Sequence, residues 1–518
     1  MAEKLNIKPI GMNEGTVHNI DGDATTYVAR NFGGDLTDLE SKLRQWFDYH
    51  YKDCGISDIL YCPSMSVRQK GVHPDVQFAG WETNERKKFL HYIYTQTDID
   101  PYQFWFAQCR EYGIKPWLSF RMNDVHYADG KVADREKIEQ FPENDFFFKA
   151  LDNGWMIGNE RYPYWSVGAT RGSRNWYQYA LNFAIPEVRQ HALEVIDSQL
   201  EWFDVDGIEL DWQRQIWCFP EDSIDNCKHM NELMEGVREI IAKYEKIYGH
   251  KIELLVKASR DIDESKYFGL DIRHYADMGW IDVVVPSCYW GSSDSDMPIE
   301  KWVTELAKCK NKVQVWAGLE CHVTNAFETE KGWQSASTLA GFATQYLSQG
   351  ADKIYLFNMF NDVREKTAAC SSLENALAQP RRSYVVTEAN CTPYNVGFTE
   401  YNPLPIDLKA GETNDSIVIK HGPMVEDANN VIFVGIPSLD PTEIDAKTLT
   451  VKYNGAECEF AGITTESWQG ESTYLGLIVG YKVPKGVAVG SKAGKISITA
   501  GRDVTCTYLE LANGNIEL

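Results

Sequence analysis

No stretch of the chain supplies the roughly 20 consecutive apolar residues that a membrane-spanning helix needs, so the sequence predicts no membrane partner. Met1-Ala2-Glu3-Lys4 runs into polar sequence without the apolar core of a signal peptide. The expectation is a cytoplasmic protein, or a secreted one if the chain was trimmed. Positive charge is scarce: 51 Lys and Arg against 75 Asp and Glu leave a formal net charge of -24. That balance repels phosphate backbones, which argues against nucleic acid and favours neutral or cationic ligands. The 12 cysteines are scattered, with no Cys-x-x-Cys pair or cluster of zinc-ligand spacing, so reduced structural thiols are expected and no metal site. Internal repeats and low-complexity tracts are also lacking.

What the chain does have is length and flat rings. Its 518 residues exceed what one hydrophobic core usually serves. Sixteen tryptophans and 27 tyrosines suit sugar faces, although most must be core. The most informative segment is Gly207-Ile208-Glu209-Leu210-Asp211, a short strand ending in an acid. Alternation along a strand puts Ile208 and Leu210 on one side and Glu209 and Asp211 on the other. Just upstream, Ala184-Ile185-Pro186-Glu187-Val188-Arg189 has proline and glutamate in a helix's first turn. Apolar residues then recur at Val188, Ala192, Leu193, Ile196, Leu200 and Phe203, the stripe of a one-sided helix. A helix feeding a strand is half of a β/α unit.

Eight strands of this kind are predicted in order: Val17 to Asp21, Ser57 to Cys62, Lys115 to Asn123, Gly207 to Asp211, Glu253 to Ser259, Asp282 to Tyr289, Lys312 to Glu320 and Lys353 to Phe357. Eight is the number that closes a (β/α)8 TIM barrel, with chemistry at the carboxyl ends of its strands. In the third, Ser119, Arg121 and Asn123 share the inner side. In the seventh, Gln314, Trp316, Gly318 and Glu320 do so. A purely structural parallel strand reads as a near-continuous aliphatic run, so inward polarity marks a site. The long connections after strands two and three point to function as well. The second of these interleaves Trp155, Tyr162, Tyr164, Trp165, Trp176 and Tyr177 with Arg161, Arg171 and Arg174, which the acidic balance makes a carbohydrate wall. Beyond Pro380-Arg381-Arg382 the texture changes to short strands between Gly, Asn, Asp and Pro: Ser416 to Lys420, Val431 to Ile436, Thr448 to Tyr453, Tyr474 to Val483, Lys495 to Thr499 and Thr505 to Leu511. An all-β sandwich is expected there. The expected division is a catalytic barrel over 1–385 and an accessory β-sandwich over 386–518.

Asn182 to Arg214, with its Pro-Glu-Val-Arg helix start and Val-Asp-Gly-Ile-Glu-Leu-Asp ending, resembles the fourth β/α unit of the glycosyl-hydrolase-like family 10 proteins. Gly279-Trp280-Ile281-Asp282-Val283-Val284-Val285-Pro286-Ser287-Cys288-Tyr289-Trp290 is similar to the sixth-strand signature of that group. The resemblance covers about residues 10 to 380. It implies a TIM barrel that hydrolyses glycosides at paired carboxylates, with Asp211 as one of them. Chitinase-like enzymes carry Asp-Gly-x-Asp-x-Asp-x-Glu at this place. Here Glu209 replaces the first inner aspartate and Gln213 takes the glutamate position, which disfavours substrate-assisted cleavage of N-acetyl sugars.

Glycoside cleavage needs one acid to protonate the leaving oxygen and a second carboxylate to attack or to activate water. Asp211 is assigned as nucleophile or charge stabiliser. Glu320, ending the seventh strand across the barrel mouth, is assigned as general acid/base beside Trp316, and the sequence equally allows the two roles reversed. Glu209, one layer deeper, is expected to order Lys257 or Arg121 or to contact substrate. Arg121, Asn123, Asp124 and His126 at the end of strand three are expected to hold sugar hydroxyls, and Tyr289 and Trp290 to stack on the ring. Asp21 and Asn358 are further inward candidates. Asp261, Asp263, Asp294 and Asp296 are reserve acids expected to be bystanders. The reading is a glycoside hydrolase acting without cofactor on a neutral oligo- or polysaccharide or glycoside. Two alternatives stand beside it. A metal-dependent sugar isomerase or epimerase would use Glu209, Asp211 and a histidine such as His126, although no inner strand end pairs His with an acid at ligand spacing. A non-catalytic glycan-binding protein would bind sugars without turnover.

Overall fold

The computed structural model describes residues 5, 7–20, 28, 37–62, 92–93, 95–125, 128–139, 144–158, 178–213, 216–288, 297–320, 335–359, 362–387, 404–424, 428–438, 440, 442, 444–464, 476–514 and 516. Eight strands close a barrel in sequence order: β1 (Thr16–Ile20), β2 (Ile56–Tyr61), β3 (Lys115–Arg121), β4 (Gly207–Asp211), β5 (Glu253–Ser259), β6 (Val283–Ser287), β7 (Gln314–Leu319) and β8 (Lys353–Phe357). The predicted bounds of β4, β5 and β8 coincide with the observed ones. β3, β6 and β7 stop short of their predicted ends. The chain forms two compact units, one built on Val17–Pro286 and Thr304–Val315, the other on Leu5–Thr16, Ser287–Val303 and Trp316–Leu518.

In the first unit, β2, β3, β4 and β5 pair in parallel register. The floor of the interior is set by Trp117, fully buried on β3, whose indole N–H donates to the buried Asp58 of β2 at 3.0 Å. Gly207 opens β4 because nothing larger fits: a Cβ there would lie 2.2 Å from the Trp117 ring. Outside the barrel, Tyr61 of β2 stacks on Trp105 of the helix Pro101–Glu111, with ring centroids 5.9 Å apart. Feeding β4 is the helix Pro186–Trp202, with proline and Glu187 in its first turn as predicted. It buries Val188, Ala192, Val195, Ile196 and Leu200. Leu193 is half-buried, and lies where a Cβ on Gly236 of the helix Cys227–Tyr248 would be, at 2.7 Å.

In the second unit, β7 and β8 pair in parallel. The C-terminal strands form antiparallel sheets: a five-stranded one ordered β15-β16-β12-β19-β9, a four-stranded one ordered β11-β17-β13-β14, and the pair β10-β18. Their ranges are β9 (Arg381–Thr387), β10 (Ile406–Leu408), β11 (Thr413–Lys420), β12 (Asn430–Ile436), β13 (Leu449–Tyr453), β14 (Ala456–Glu457), β15 (Glu459–Thr464), β16 (Leu477–Lys482), β17 (Ala493–Ala500), β18 (Val504–Cys506) and β19 (Tyr508–Gly514). Alternate residues of both larger sheets meet in one core, Ile432, Val434, Val479 and Leu511 from one and Ile417, Ile419, Val451 and Ile498 from the other. That is the period-2 packing of a sandwich.

The five-stranded sheet buries its other face too, through Val385, Phe433, Ile478 and Tyr508. The helix Ala336–Ser348 lies against β9 so closely that a Cβ on Gly341 would meet the Ser383 carbonyl oxygen at 2.1 Å. Beside that contact, Arg381 of β9 pairs with the fully buried Glu510 of β19 at 2.9 Å, and the Tyr508 hydroxyl donates to the same carboxylate at 2.6 Å. On the core side, His421 Nδ1 donates to the Gly422 carbonyl and Nε2 is bonded to the Tyr453 hydroxyl, both at 2.8 Å. Burial pulls its pKa below the usual histidine value, which favours the neutral ring.

The single run predicted over Thr505 to Leu511 is two strands that serve different sheets, β18 pairing with β10 and β19 with β12 and β9. No disulfide links any of the ten described cysteines, and nine of the ten are buried.

Candidate active site at the carboxyl end of the fourth strand

Register explains why charged residues gather in the first unit. Arg121 of β3 stands opposite Asp211 of β4, and Asp211 stands opposite Lys257 of β5. Partners in a parallel ladder point to the same side, so the three strand ends present a cation, an anion and a cation in one row. All three side chains are buried, Asp211 completely. Lys257 Nζ lies 3.9 Å from Asp211 Oδ1. Arg121 Nη1 donates to Asp124 Oδ2 at 3.1 Å, a second buried pair.

One layer down, Glu209 stands opposite Ser119. Its Oε2 accepts from the Ser119 hydroxyl at 2.5 Å and from the Asn19 side-chain amide at 2.7 Å. Asn19 comes from β1, and its amide also reaches Ser119 Oγ at 3.1 Å. Two of the hydrogen bonds on Glu209 thus come from neutral donors. Ser119 was placed on the inner face without a role, and Asn19 was missed. Its signal was parity, two residues before Asp21 on the first strand.

Asp211 is held asymmetrically. Its Oδ1 accepts the backbone N–H of Gln213 at 2.9 Å, while Oδ2, equally buried, has no hydrogen-bond partner among the described residues. Gln213 is 3% exposed, and its side-chain Nε2 likewise has no partner among them. An unsatisfied buried carboxylate oxygen costs folding free energy on the order of 1–3 kcal/mol or more.

The other predicted residues fall into three groups. Asn123 is an anchor: its amide donates to the carbonyls of Leu181 and Trp217 at 3.1 and 3.0 Å, and its oxygen accepts the Leu181 N–H at 2.7 Å. Asp261 caps the helix Ile262–Tyr267 by accepting the N–H groups of Asp263 and Glu264, and Asp263 pairs with Arg273 at 2.8 Å. In the second unit, Trp316 of β7 shares a ladder position with Lys353 of β8, whose Nζ stands 5.0 Å from its ring centroid. Glu320 follows the carboxyl end of β7 and is 3% exposed. Asn358 follows β8 in a left-handed backbone conformation, φ 53°, with Oδ1 buried and without a partner among the described residues. Asp21, His126, Tyr289, Trp290, Asp294 and Asp296 lie outside the described residues. So do Arg161, Tyr162, Tyr164, Trp165, Arg171, Arg174, Trp176 and Tyr177.

Among the described residues no group of three or more His, Cys, Asp or Glu is arranged to hold a metal ion, and no helix is long and apolar enough to cross a membrane.

Compared with protein families and with curated proteins, the sequence matches none. Solved structures align with it at low similarity. The C-terminal domain of a putative chitinase from Desulfitobacterium hafniense DCB-2 aligns over 59% of this chain and 66% of its own, with 10% identity and a TM-score of 0.31. A multi-modular cell-surface chitinase from Paenibacillus sp. strain FPU-7 aligns over 96% of this chain and 42% of its own, with 9% identity and a TM-score of 0.38. The catalytic domain of a psychrophilic chitinase B from Arthrobacter TAD20 aligns over 72% of this chain and 98% of its own, with 10% identity and a TM-score of 0.37. The chain thus spans just under two thirds of the first and less than half of the second.

Proposed function

We propose that the protein is a glycoside hydrolase acting on a neutral glycan or glycoside, with Asp211 as one catalytic carboxylate and Glu320 as the other. The observation that carries the proposal is the state of Asp211: wholly buried at the carboxyl end of a barrel strand, beside an ammonium, with one oxygen left without a partner among the described residues. Lys257 complements a negative charge there, which suits Asp211 to face the anomeric carbon as nucleophile or as counter-charge to the oxocarbenium-like transition state. Glu320 protonates the glycosidic oxygen as the bond to the anomeric carbon breaks, then takes a proton from the incoming water. Its support is its place after β7, in the same parity as Trp316, and its burial. The barrel as catalytic domain over 1–385, with 386–518 as an accessory module, belongs to the same proposal.

Aryl glycosides of several neutral sugars test it, with proton NMR of the first anomer released. Asp211→Asn and Glu320→Gln should each keep the fold and lower hydrolysis by about 10²- to 10⁴-fold. Glu320→Gln alone should lose the basic limb of the pH–rate profile. An unchanged rate in either variant removes that residue from the mechanism. Activity abolished by EDTA would favour the metal-dependent isomerase, and glycan binding without turnover, indifferent to Asp211→Asn, would favour a binding protein.

A further inference from the structure

The geometry points to Gln213 as a specificity-determining residue that works as a pair with Asp211 to grip one hydroxyl group of the ligand. Two observations carry this. Asp211 Oδ2 is a buried acceptor and Gln213 Nε2 a buried donor, and neither has a hydrogen-bond partner among the described residues. The backbone N–H of Gln213 sits 2.9 Å from Asp211 Oδ1, so the two side chains issue from adjoining points of the same strand end.

A buried acceptor and a buried donor two residues apart at one strand end can together complement a hydroxyl, which gives its proton to the carboxylate and takes one from the amide. A carbonyl satisfies only the amide, an ammonium only the carboxylate, and a carboxylate ligand would face Asp211 with like charge. The pair therefore selects neutral, hydroxyl-bearing ligands. Because site groups left unpaired penalise the wrong ligand strongly, it also selects against sugars that lack the hydroxyl in question. This inference rests on the proposed reading of Asp211 as a ligand-facing carboxylate and adds the partner that reads the sugar.

The test separates the two. Full-length protein is titrated with the methyl β-glycosides of D-glucose, D-galactose, D-mannose and D-xylose, read by saturation-transfer NMR, for the wild type, Gln213→Met and Gln213→Glu. At least one glycoside should bind the wild type, and Gln213→Met should weaken it by about tenfold, the loss of a single hydrogen bond. Gln213→Glu, which replaces the donor by a charge beside Asp211, should weaken it further. Of the deoxy analogues of the bound sugar, one should lose affinity for the wild type but not for Gln213→Met. A structural role is excluded by the melting temperature: replacing an unpaired buried amide by an apolar side chain of similar shape should leave it unchanged or raise it. No binding by any of the four glycosides, or equal binding by wild type and Gln213→Met, overturns the inference. Sugar binding that falls in Gln213→Met without any aryl glycoside turnover would sink the hydrolase reading and leave this one standing. Hydrolysis with KM unchanged in Gln213→Met would do the reverse.

Discussion

The ion pair between Asp211 and Lys257 can be weighed by a double-mutant cycle. At 3.9 Å, two unit charges attract by about 4 kcal/mol with an effective dielectric near 20. Neither side chain reaches solvent, with exposures of 0% and 1%, so screening by water takes little of that away. Asp211→Asn keeps the shape and the acceptor for the Gln213 N–H but removes the carboxylate charge 3.9 Å from the ammonium. Lys257→Met keeps the stem volume but removes that ammonium. Each single change should cost about 2–4 kcal/mol, because breaking a buried pair leaves an uncompensated charge.

The double variant Asp211→Asn, Lys257→Met removes both charges. It should recover about 2–3 kcal/mol relative to the sum of the two singles, since groups in contact are not additive. The assay is urea unfolding followed by tryptophan fluorescence, fitted to the transition that carries Trp117 and Trp212, which flank the row. Singles that add to the double within about 0.5 kcal/mol would show that the two charges do not feel one another. The account of Lys257 as the counter-charge of Asp211 would then be refuted.

Gly207→Ala puts a methyl group 2.2 Å from the Trp117 ring, so the indole must leave Asp58; a loss of about 3 kcal/mol or more in the same urea transition is expected, and a loss under 1 kcal/mol would contradict the packing. Glu510→Gln leaves the Arg381 guanidinium buried without its counter-charge and should lower the stability of the C-terminal sheets by about 3–5 kcal/mol, measured by urea unfolding. His421 has a folded pKa below that of the unfolded chain, about 6.5, so its contribution is present in full above that value and is lost as pH falls through the folded pKa. Calorimetric scans from pH 8 to 5 should show the sheet transition falling on the acid side, and His421→Gln should flatten that fall.

How much of this the sequence carried depended on whether the information was local. β4, β5 and β8 were legible to the residue because alternation and the turn residues beside them are local signals. The row of Arg121, Asp211 and Lys257 was legible as inward residues, yet its order required the register of three strands, which is a long-range fact. In the sequence Arg381 and Arg382 only mark where the texture changes. In the structure they open β9, because Glu510, 129 residues later, neutralises Arg381 in the interior. Likewise β10 and β14, of three and two residues, are too short to show a period and exist through their partners. The hydrogen bonds of Glu209 to Asn19 and Ser119 span 190 and 90 residues.

Glu209 and Asp211 are the strongest internal comparison, because they share a strand, a face and complete burial, and differ in what holds them. Glu209 takes two neutral donors on a single oxygen, an arrangement that stabilises a carboxylate and commits it. Asp211 takes a backbone N–H on one oxygen and leaves the other without a donor among the described residues. Were both acids structural, the same folding pressure would act on both, and a serine or asparagine opposite Asp211 would satisfy it as cheaply as Ser119 satisfies Glu209. The register instead places a full positive charge on either side of Asp211. Flanking cations offset the desolvation of an anion without hydrogen-bonding its second oxygen, so the lone pairs of Oδ2 stay available. That difference is the ground on which we propose Asp211, rather than Glu209, as the reacting carboxylate.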